Sequence, residues 1–440
     1  MRTPFVVWPF VFALPIAFAT ACSSETVIVQ EPAAMPEAGQ PAPLATEGDA
    51  GGVDEQDAGT VTVPGPDASK PPKDAGVDAP PFVEAPHTQQ FPQIPANNAE
   101  VLQPLKLVTI VTPADALATD LFAFSDALVE SNWWKAVGKD YGLTTATSVN
   151  IQATEAITGS PTQTFMDSYI GRAIVGHPDA ADDGNTMYLL YLPEGMVDTD
   201  AARGVNTNCK FHGGYHTVGN NGRYWGVGMR CPTQGTGLSK LQSLTVIGSH
   251  EIIEAASDPY PGRGWTLGPL TSLSQSPWAS TQGENGDMCV STQVTEGFFT
   301  YQRVWSNTAA KAGGDPCVPP VSTPYYNVST AKDWYKVAPG GTVTIPLNGW
   351  STARMLDWVV DGAVQVEIPE NAGFTAKVTS ATSQVISGTS YFTVNNAGQA
   401  TLTVTAPNTS NAAAVVWVIS QPRSPSVDPY HFLPIGIYTQ

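Results

Sequence analysis

One eleven-residue stretch combines residue types and a spacing that are typical of metal sites. Residues 249–259 read Ser-His-Glu-Ile-Ile-Glu-Ala-Ala-Ser-Asp-Pro. On a helix, His250, Glu254 and Asp258 lie one turn apart from each other and share one face. An imidazole and a carboxylate at this spacing chelate zinc, and the adjacent Glu251 is placed to take a proton from a zinc-activated water. The stretch predicts His250 and Glu254 as ligands and Glu251 as the general base.

The motif is H-E-x-x-E, which is a weaker indicator of a metal site than H-E-x-x-H. Its second ligand position holds Glu254. A surface helix with one histidine and several solvated acids is the competing interpretation. Asp258 precedes a proline, so we expect it to end the helix or to support a ligand, with direct ligation as the alternative.

Two other stretches offer a third ligand. Residues 284–289 read Glu-Asn-Gly-Asp-Met-Cys and place Glu284 and Asp287 in a glycine-containing loop beside a cysteine. Residues 211–216 place His216 in a glycine- and aromatic-rich segment. Each of these three side chains is a candidate ligand that would leave one position open for water. Ordinary turn formation and hydrogen bonding are the alternative roles of such loop residues.

The helix motif, the following Gly264-Trp265 pair and the Glu284-x-x-Asp287-x-Cys289 loop together resemble a known family. They are similar to secreted bacterial proteins and to the plant phosphate-induced, or Exordium-like, cell-wall proteins. The resemblance covers roughly residues 100 to 318. It implies an extracellular, disulfide-containing, zincin-like domain. It does not imply a defined reaction, because the plant members are associated with growth and the cell wall.

The chain has five cysteines, and four of them lie in the region of these motifs. An even number of cysteines in an exported domain indicates disulfides. Of the three possible connectivities we favour the local one, which pairs Cys209 with Cys231 and Cys289 with Cys317. A zinc site made of all four cysteines is the rival interpretation, although no C-x-x-C pair occurs.

The N-terminus reads as an export signal. Residues 1–21 contain a single basic residue, a long apolar run and a final Ala-Thr-Ala, which are the parts of a signal peptide. Cys22 follows at once and resembles the lipidated cysteine of a bacterial lipoprotein. An ordinary secretory cleavage at the same bond is the alternative. We therefore predict an exported protein, anchored at the outer membrane or cell surface through lipid on Cys22, or otherwise extracellular.

Composition limits the partners of this chain. It has 440 residues, with 20 basic against 39 acidic side chains and a net charge of −19. Because a phosphate backbone attracts a basic surface, nucleic acid is excluded as a partner. Residues 22–95 are rich in Pro, Ala, Gly and acids and nearly lack aromatics, so we expect a disordered acidic tether.

Hydrophobic periodicity predicts an α+β domain over residues 96–320. We expect a strand at 107–111, which is rich in β-branched residues, and a buried strand at 187–192, which is a continuous apolar run. The period of residues 115–137 predicts a helix. A second helix, carrying the metal motif, is expected over 240–258 and ends before proline. One further strand is expected at 298–305.

Alternating apolar residues separated by turn signals characterise the C-terminal part of the chain. This pattern predicts an all-β, immunoglobulin-like sandwich over residues 321–422. The remaining residues, 423–440, are expected to form an irregular tail.

Two functions follow from these observations. The first is a zinc-dependent hydrolase, most simply a metallopeptidase acting on peptide or protein. The second is a non-catalytic cell-surface protein that recognises glycan or protein and whose metal, zinc or calcium, is structural.

Overall fold

The computed structural model describes residues 80–88, 90–97, 100–196, 213–231, 237–386, 389–422 and 430–440. The predicted signal peptide, Cys22, most of the predicted tether and Cys209 lie outside these residues. From Val83 onward the chain forms one compact unit. It is of mixed α+β type with mostly β-sheet content, which confirms the coarse fold prediction. No helix within the described ranges is long and apolar enough to cross a membrane.

The first part of the unit is built on a five-stranded sheet in the order β2-β1-β3-β5-β4. Four of the strands are parallel, and β4 runs antiparallel at the edge. The helices are α1 (Ala118–Glu130), α2 (Asn132–Val137), α3 (Gln163–Ala173), α4 (Lys240–Ser257) and α5 (Asn307–Ala312). The strands are β1 (Leu105–Val111), β2 (Ala146–Gln152), β3 (Thr186–Tyr191), β4 (Gly214–Val218), β5 (Tyr224–Gly228), β6 (Gln293–Glu296), β7 (Phe299–Gln302), β8 (Val304–Trp305) and β9 (Cys317–Val318).

The two strands predicted at 107–111 and 187–192 lie in the interior of this sheet as β1 and β3. Every residue of β3 is buried, because both of its faces are covered. Leu189 on one face packs with α1, α2 and α4, whereas Leu190 on the other packs with α3. The sheet therefore has a hydrophobic core on each side.

The predicted helix over 115–137 is interrupted in the structure. Ser131 is extended, with φ −65° and ψ 157°, and separates α1 from α2. Its hydroxyl accepts a hydrogen bond from the backbone N–H of Trp134 and so caps the second helix. The apolar period continues across the break, which is why periodicity alone predicted a single helix.

Helix α4 forms where the sequence predicted it. Ser239 and Gln242 build a capping box at its N-terminus. Asp258 ends it, and Pro259 follows. A side chain at Gly248 would collide with the Tyr191 hydroxyl, so this glycine lets α4 lie close to the sheet. The helix packs along β4, β5 and β7.

The single strand predicted at 298–305 is wrong, because the structure divides this run into β7 and β8. Strands β6 and β7 form a hairpin, and β8 pairs separately with β9. Arg303 lies between β7 and β8, and its side chain donates to the carbonyl oxygen of Pro319 and to Asp315. Along this run the backbone pairs first with β6 and then with β9, so it does not continue as one strand.

The second part of the unit is a β-sandwich. A four-stranded sheet, β10-β12-β17-β14, packs on a six-stranded sheet, β11-β19-β18-β13-β16-β15. The strands are β10 (Tyr326–Ser329), β11 (Trp334–Val337), β12 (Thr342–Ser351), β13 (Trp358–Ile368), β14 (Thr375–Ser380), β15 (Thr382–Ile386), β16 (Thr389–Val394), β17 (Gln399–Thr405), β18 (Ala413–Gln421) and β19 (His431–Thr439). Leu347 and Val416 are among the buried residues of the shared core.

The predicted irregular tail over 423–440 is wrong for its last part. Residues of β19 are almost all buried, and the strand lies between β11 and β18. Pro434 and Gly436 weakened the strand pattern there. Gly436 is needed because a side chain would collide with the ring of Trp334.

The predicted disorder of 22–95 is also wrong for residues 83–88 and 90–95. Ile94 is buried, and its backbone N–H and carbonyl both bond the side-chain amide of Asn307, each at 2.8 Å. The ring of His87 stacks on Trp350 with 3.7 Å between centroids. This segment carries aromatic side chains, such as Phe91, that residues 23–81 lack, and burying them offsets the entropy of ordering.

Candidate metal centre

Helix α4 brings the residues of the H-E-x-x-E motif together. Nε2 of His250 lies 3.1 Å from Oε2 of Glu254, one turn further along the helix. Oε1 of Glu251 lies 4.0 Å from the same nitrogen. The side chains of Glu251 and Glu254 are each 3 % exposed. The predicted chelating pair is therefore at ligand distance and faces the interior.

Strand β4 contributes a second imidazole, that of His216. Its Nδ1 lies 3.7 Å from both Glu251 and Glu254. Its Nε2 lies 3.1 Å from the carbonyl oxygen of Asp258. Because a carbonyl only accepts, Nε2 is the donor and Nδ1 faces the two glutamates. The structure thus places His216, predicted as an alternative ligand, directly against the motif.

The loop after α4 supplies two more carboxylates. Oε1 of Glu284 lies 3.7 Å from Nε2 of His216, and Oδ1 of Asp287 lies 3.6 Å from Nε2 of His250. The backbone N–H of Asp287 donates to Oε1 of Glu254 at 3.0 Å. These six residues are called the carboxylate–imidazole cluster below. Its members are His216, His250, Glu251, Glu254, Glu284 and Asp287.

Two glycines make room for the cluster. A side chain at Gly286 would lie 2.7 Å from Oε1 of Glu254 and 2.8 Å from Nδ1 of His250. A side chain at Gly214 would lie 2.6 Å from Oε1 of Glu251. The loop and β4 can approach α4 this closely only because both positions lack a Cβ atom.

Gln302 on β7 orients His250, and sequence reasoning missed it. Its Oε1 lies 3.1 Å from Nδ1 of His250, while its Nε2 donates to the carbonyl of Gly286 at 2.7 Å. Oε1 is therefore the acceptor, and His250 carries a proton on Nδ1 and presents Nε2 to the cluster. Hydrogen bonds of this kind orient metal-binding histidines. A single buried glutamine within a strand gives no signal in the sequence.

Asp258 supports the site from outside. Its carboxylate accepts hydrogen bonds from the backbone N–H groups of Gly262, Arg263 and Gly264, at 2.7, 3.1 and 2.5 Å. Its carbonyl oxygen holds His216. This geometry favours a supporting role for Asp258 over direct ligation of the metal.

The loop that carries Glu284 and Asp287 is fastened at both ends. Cys289 forms a disulfide with Cys317, as predicted. The buried Asn285 donates from its amide to the hydroxyl of Ser257 at 2.7 Å, which ties the loop to the end of α4. Cys231 is also disulfide-bonded, and Cys209, its predicted partner, lies outside the described residues. Because Cys289 and Cys317 are joined to each other, the rival four-cysteine zinc site is wrong.

The cluster concentrates negative charge without a fixed counter-ion. Within the described part of the chain, each ion pair that its four carboxylates make is with one of its two imidazoles. Oε2 of Glu251 is buried and has no hydrogen-bond partner there. Buried carboxylates are stable only when paired with cations or hydrogen-bonded. The donor set of imidazole and carboxylate therefore fits a divalent cation.

The electrostatics of the side chains agree with this charge excess. Burial alone would lower the pKa of His216, but the charge of Glu284 and of the helix glutamates raises it to about 9. Burial and the charge of Glu254 raise the pKa values of Glu284 and Asp287 well above their usual range. Without a cation, the cluster therefore retains protons at neutral pH.

Two sets of three residues meet the distances of a metal site. In each set, one ligand atom per residue lies within 4.8 Å of the others. One set is His250, Glu254 and Asp287, and the other is His216, Glu254 and Glu284. Glu254 is common to both.

An open cavity of about 520 Å³ lies near the C-terminal end of α4. Tyr224, Tyr260 and Arg263 line it, and no member of the cluster does. The side chains of the cluster with the greatest exposure are Asp287 at 24 % and His250 at 16 %. Access to the cluster is therefore from the side of these two residues.

Comparison with known proteins assigns no family. No family model and no curated protein matches this sequence. Domains 4 and 5 of the S-layer protein SbsC are similar over 26 % of this chain and 54 % of that one, at 13 % identity and a TM-score of 0.17. This chain thus spans about half the length of that structure.

Two further solved structures are similar to parts of the chain. Domain 1 of VCBP3 from Branchiostoma floridae is similar over 27 % of this chain and 98 % of that one, at 14 % identity and a TM-score of 0.19. The PapD-like domain 7 of human CEP192 is similar over 28 % and 91 %, at 12 % identity and a TM-score of 0.17. At these TM-scores the similarity assigns no function to the chain.

Proposed function

We propose that this chain is an exported, lipid-anchored, metal-dependent hydrolase that acts on peptide or protein. The observation that supports it is the arrangement on α4, where His250 and Glu254 form a chelating pair and Oε1 of the buried Glu251 lies 4.0 Å from Nε2 of His250. Zinc is the cation that we favour, and calcium is the alternative. Export and lipid attachment at Cys22 are proposed from the N-terminal sequence.

The chain's own residues divide the work of hydrolysis. His250, Glu254 and Asp287 hold the cation, and Gln302 fixes the imidazole that presents Nε2 to it. A divalent cation bound there polarises a carbonyl and makes water more acidic. Glu251 is the base that takes the proton from the attacking water.

The degree of burial favours a second candidate function. The side chains of His216, Glu251 and Glu254 are only 3–4 % exposed, which leaves little surface for a substrate. An oxygen-rich donor set also suits calcium. The second candidate is a cell-surface protein that recognises glycan or protein and whose cation is structural.

The test compares metal content and turnover in the full chain. We expect bound zinc by mass spectrometry, and a lower zinc content in His250→Ala and Glu254→Ala. Glu251→Gln should retain the metal and reduce hydrolysis of peptide and ester substrates by roughly 10²–10⁴-fold. Glu130→Gln, an exposed glutamate on α1, is the matched control and should change neither quantity.

Each result separates the candidates. Absence of bound metal from the folded wild-type protein would overturn both functions. Bound metal without hydrolysis that depends on Glu251 would overturn the hydrolase and favour the binding protein.

A further inference from the structure

We propose that the carboxylate–imidazole cluster holds two divalent cations, with Glu254 shared between them. The first lies at His250, Glu254 and Asp287, and the second at His216, Glu254 and Glu284. This inference rests on the proposed metal site but adds a second cation, which neither the motif nor the resemblance implies.

The separation of the two imidazoles is the first argument. Ligand sets within 4.8 Å include His216 or His250, but no such set contains both. Zinc binds imidazole nitrogen at about 2.0–2.1 Å, so two nitrogens on one tetrahedral ion are roughly 3.4 Å apart. One cation therefore does not reach both imidazoles in this arrangement, and each imidazole needs a cation of its own.

Glu254 is placed to serve both positions. Its Oε2 lies 3.1 Å from Nε2 of His250 and 3.7 Å from Nδ1 of His216. Both distances are close to the ligand–ligand separation expected around one ion. A carboxylate has two oxygens with free lone pairs, so it can bind one cation with each or share one oxygen.

Glu251 supplies an independent observation. Its Oε1 lies 4.0 Å from Nε2 of His250, and its Oε2 lies 3.7 Å from Nδ1 of His216. The residue is 2 % exposed, and Oε2 has no hydrogen-bond partner among the described residues. One oxygen therefore faces each proposed cation position, and the unpartnered one faces the second.

Charge balance favours the same number. With neutral imidazoles, the four carboxylates carry a charge of −4, and one divalent cation leaves −2 in a buried site. Two divalent cations neutralise it. Since unpaired buried charge is strongly unfavourable, the second cation removes a penalty that the first leaves in place.

The experiment counts zinc ions per chain. The full-length protein is stripped with a chelator, equilibrated with Zn²⁺ alone, freed of excess metal and analysed by native mass spectrometry. We expect two zinc ions in the wild type and one in His216→Ala. Glu284→Gln is a second variant that alters a ligand of the same cation but keeps the imidazole of His216. It should also bind one zinc ion. His177→Ala, an exposed histidine outside the cluster, is the control and should bind two.

The outcomes distinguish this inference from the proposed function. One zinc ion in the wild type that persists in both variants would overturn the second cation and leave the first site intact. No zinc in the folded wild type would overturn both. Two zinc ions that persist in both variants would overturn the assignment to His216 and Glu284. Circular dichroism identifies a variant that fails to fold, and the other variant then decides.

Discussion

Oε1 of Gln302 lies 3.1 Å from Nδ1 of His250, although 52 residues separate them in the sequence. The direction of this hydrogen bond is fixed, because the amide nitrogen of Gln302 donates to the carbonyl of Gly286. One side chain thus joins β7, α4 and the loop after it. It determines which nitrogen of His250 faces the cluster, and it does so without touching the proposed cation.

Gln302→Leu tests this orienting role. We expect the affinity for zinc to fall by about 10- to 100-fold, because His250 loses the acceptor that holds its ring. Competition with a fluorescent chelator measures the change. Gln93→Leu is the control, since Gln93 is exposed and donates to the adjacent Pro92 carbonyl, far from the cluster in the sequence. Equal affinities in the two variants would contradict the role.

Gly286→Ala tests the close approach of the loop to α4. The added Cβ would lie 2.7 Å from Oε1 of Glu254, so the loop must move and Asp287 moves with it. We expect at least about a tenfold loss of zinc affinity in the same competition assay. Gly171→Ala is the matched control on α3, where the nearest atom is 3.6 Å away. There the alanine should stabilise the helix by about 0.5–1 kcal/mol and leave zinc affinity unchanged.

The Cys289–Cys317 disulfide should contribute measurably to stability. It closes a loop with a sequence separation of 28 residues, for which chain entropy predicts about 3–4 kcal/mol. The free energy of unfolding, measured by urea titration, should be lower by this amount in the double variant Cys289→Ala, Cys317→Ala. Zinc should also dissociate faster, because Asp287 is two residues from Cys289. An unchanged unfolding midpoint would show that hydrogen bonds alone hold the loop.

His431 should make the stability of the protein depend on pH. Burial and the charge of Arg303 lower its pKa to about 3, against about 6.5 in the unfolded chain. Between these values the unfolded chain binds a proton that the folded chain does not. Stability is therefore fully present above about pH 6.5 and falls as the pH decreases toward 3, by about 1.4 kcal/mol per pH unit at most.

The comparison with His431→Gln isolates this effect. Free energies of unfolding from urea titrations between pH 7.5 and 4.5 should fall more steeply in the wild type than in the variant. Other titrating groups contribute equally to both slopes. Parallel slopes would show that His431 is protonated in the folded protein.

Local patterns in the sequence predicted the elements, and long-range packing decided what they assemble. Helix α4 was predictable because its apolar period, its polar cap and Pro259 all act within a few residues. The meeting of His216 with Glu254 and Glu284 was not, because it depends on how β4 and the loop fold against α4. The sequence offered each as a candidate ligand but gave no means of ranking them.

Two predictions that the structure corrects are the single helix over 115–137 and the irregular tail over 423–440. Ser131 is an N-cap in the middle of a continuing apolar period, so the break between α1 and α2 is visible only through its capping bond. Pro434 and Gly436 disfavour a strand locally, yet β19 forms because two neighbouring strands bury it. At Ser131 a local capping bond interrupts the helix, whereas at β19 tertiary contacts outweigh the local preference.

The position of β19 also determines the order in which the sandwich can assemble. Tyr335 of β11 pairs with Ile437 of β19, so this contact spans about a hundred residues. During synthesis, β11 emerges about a hundred residues before its sheet neighbour. Such high contact order slows folding and leaves the edge of an incomplete sheet exposed meanwhile. The six-stranded sheet therefore gains β19 only after its other five strands have been synthesised.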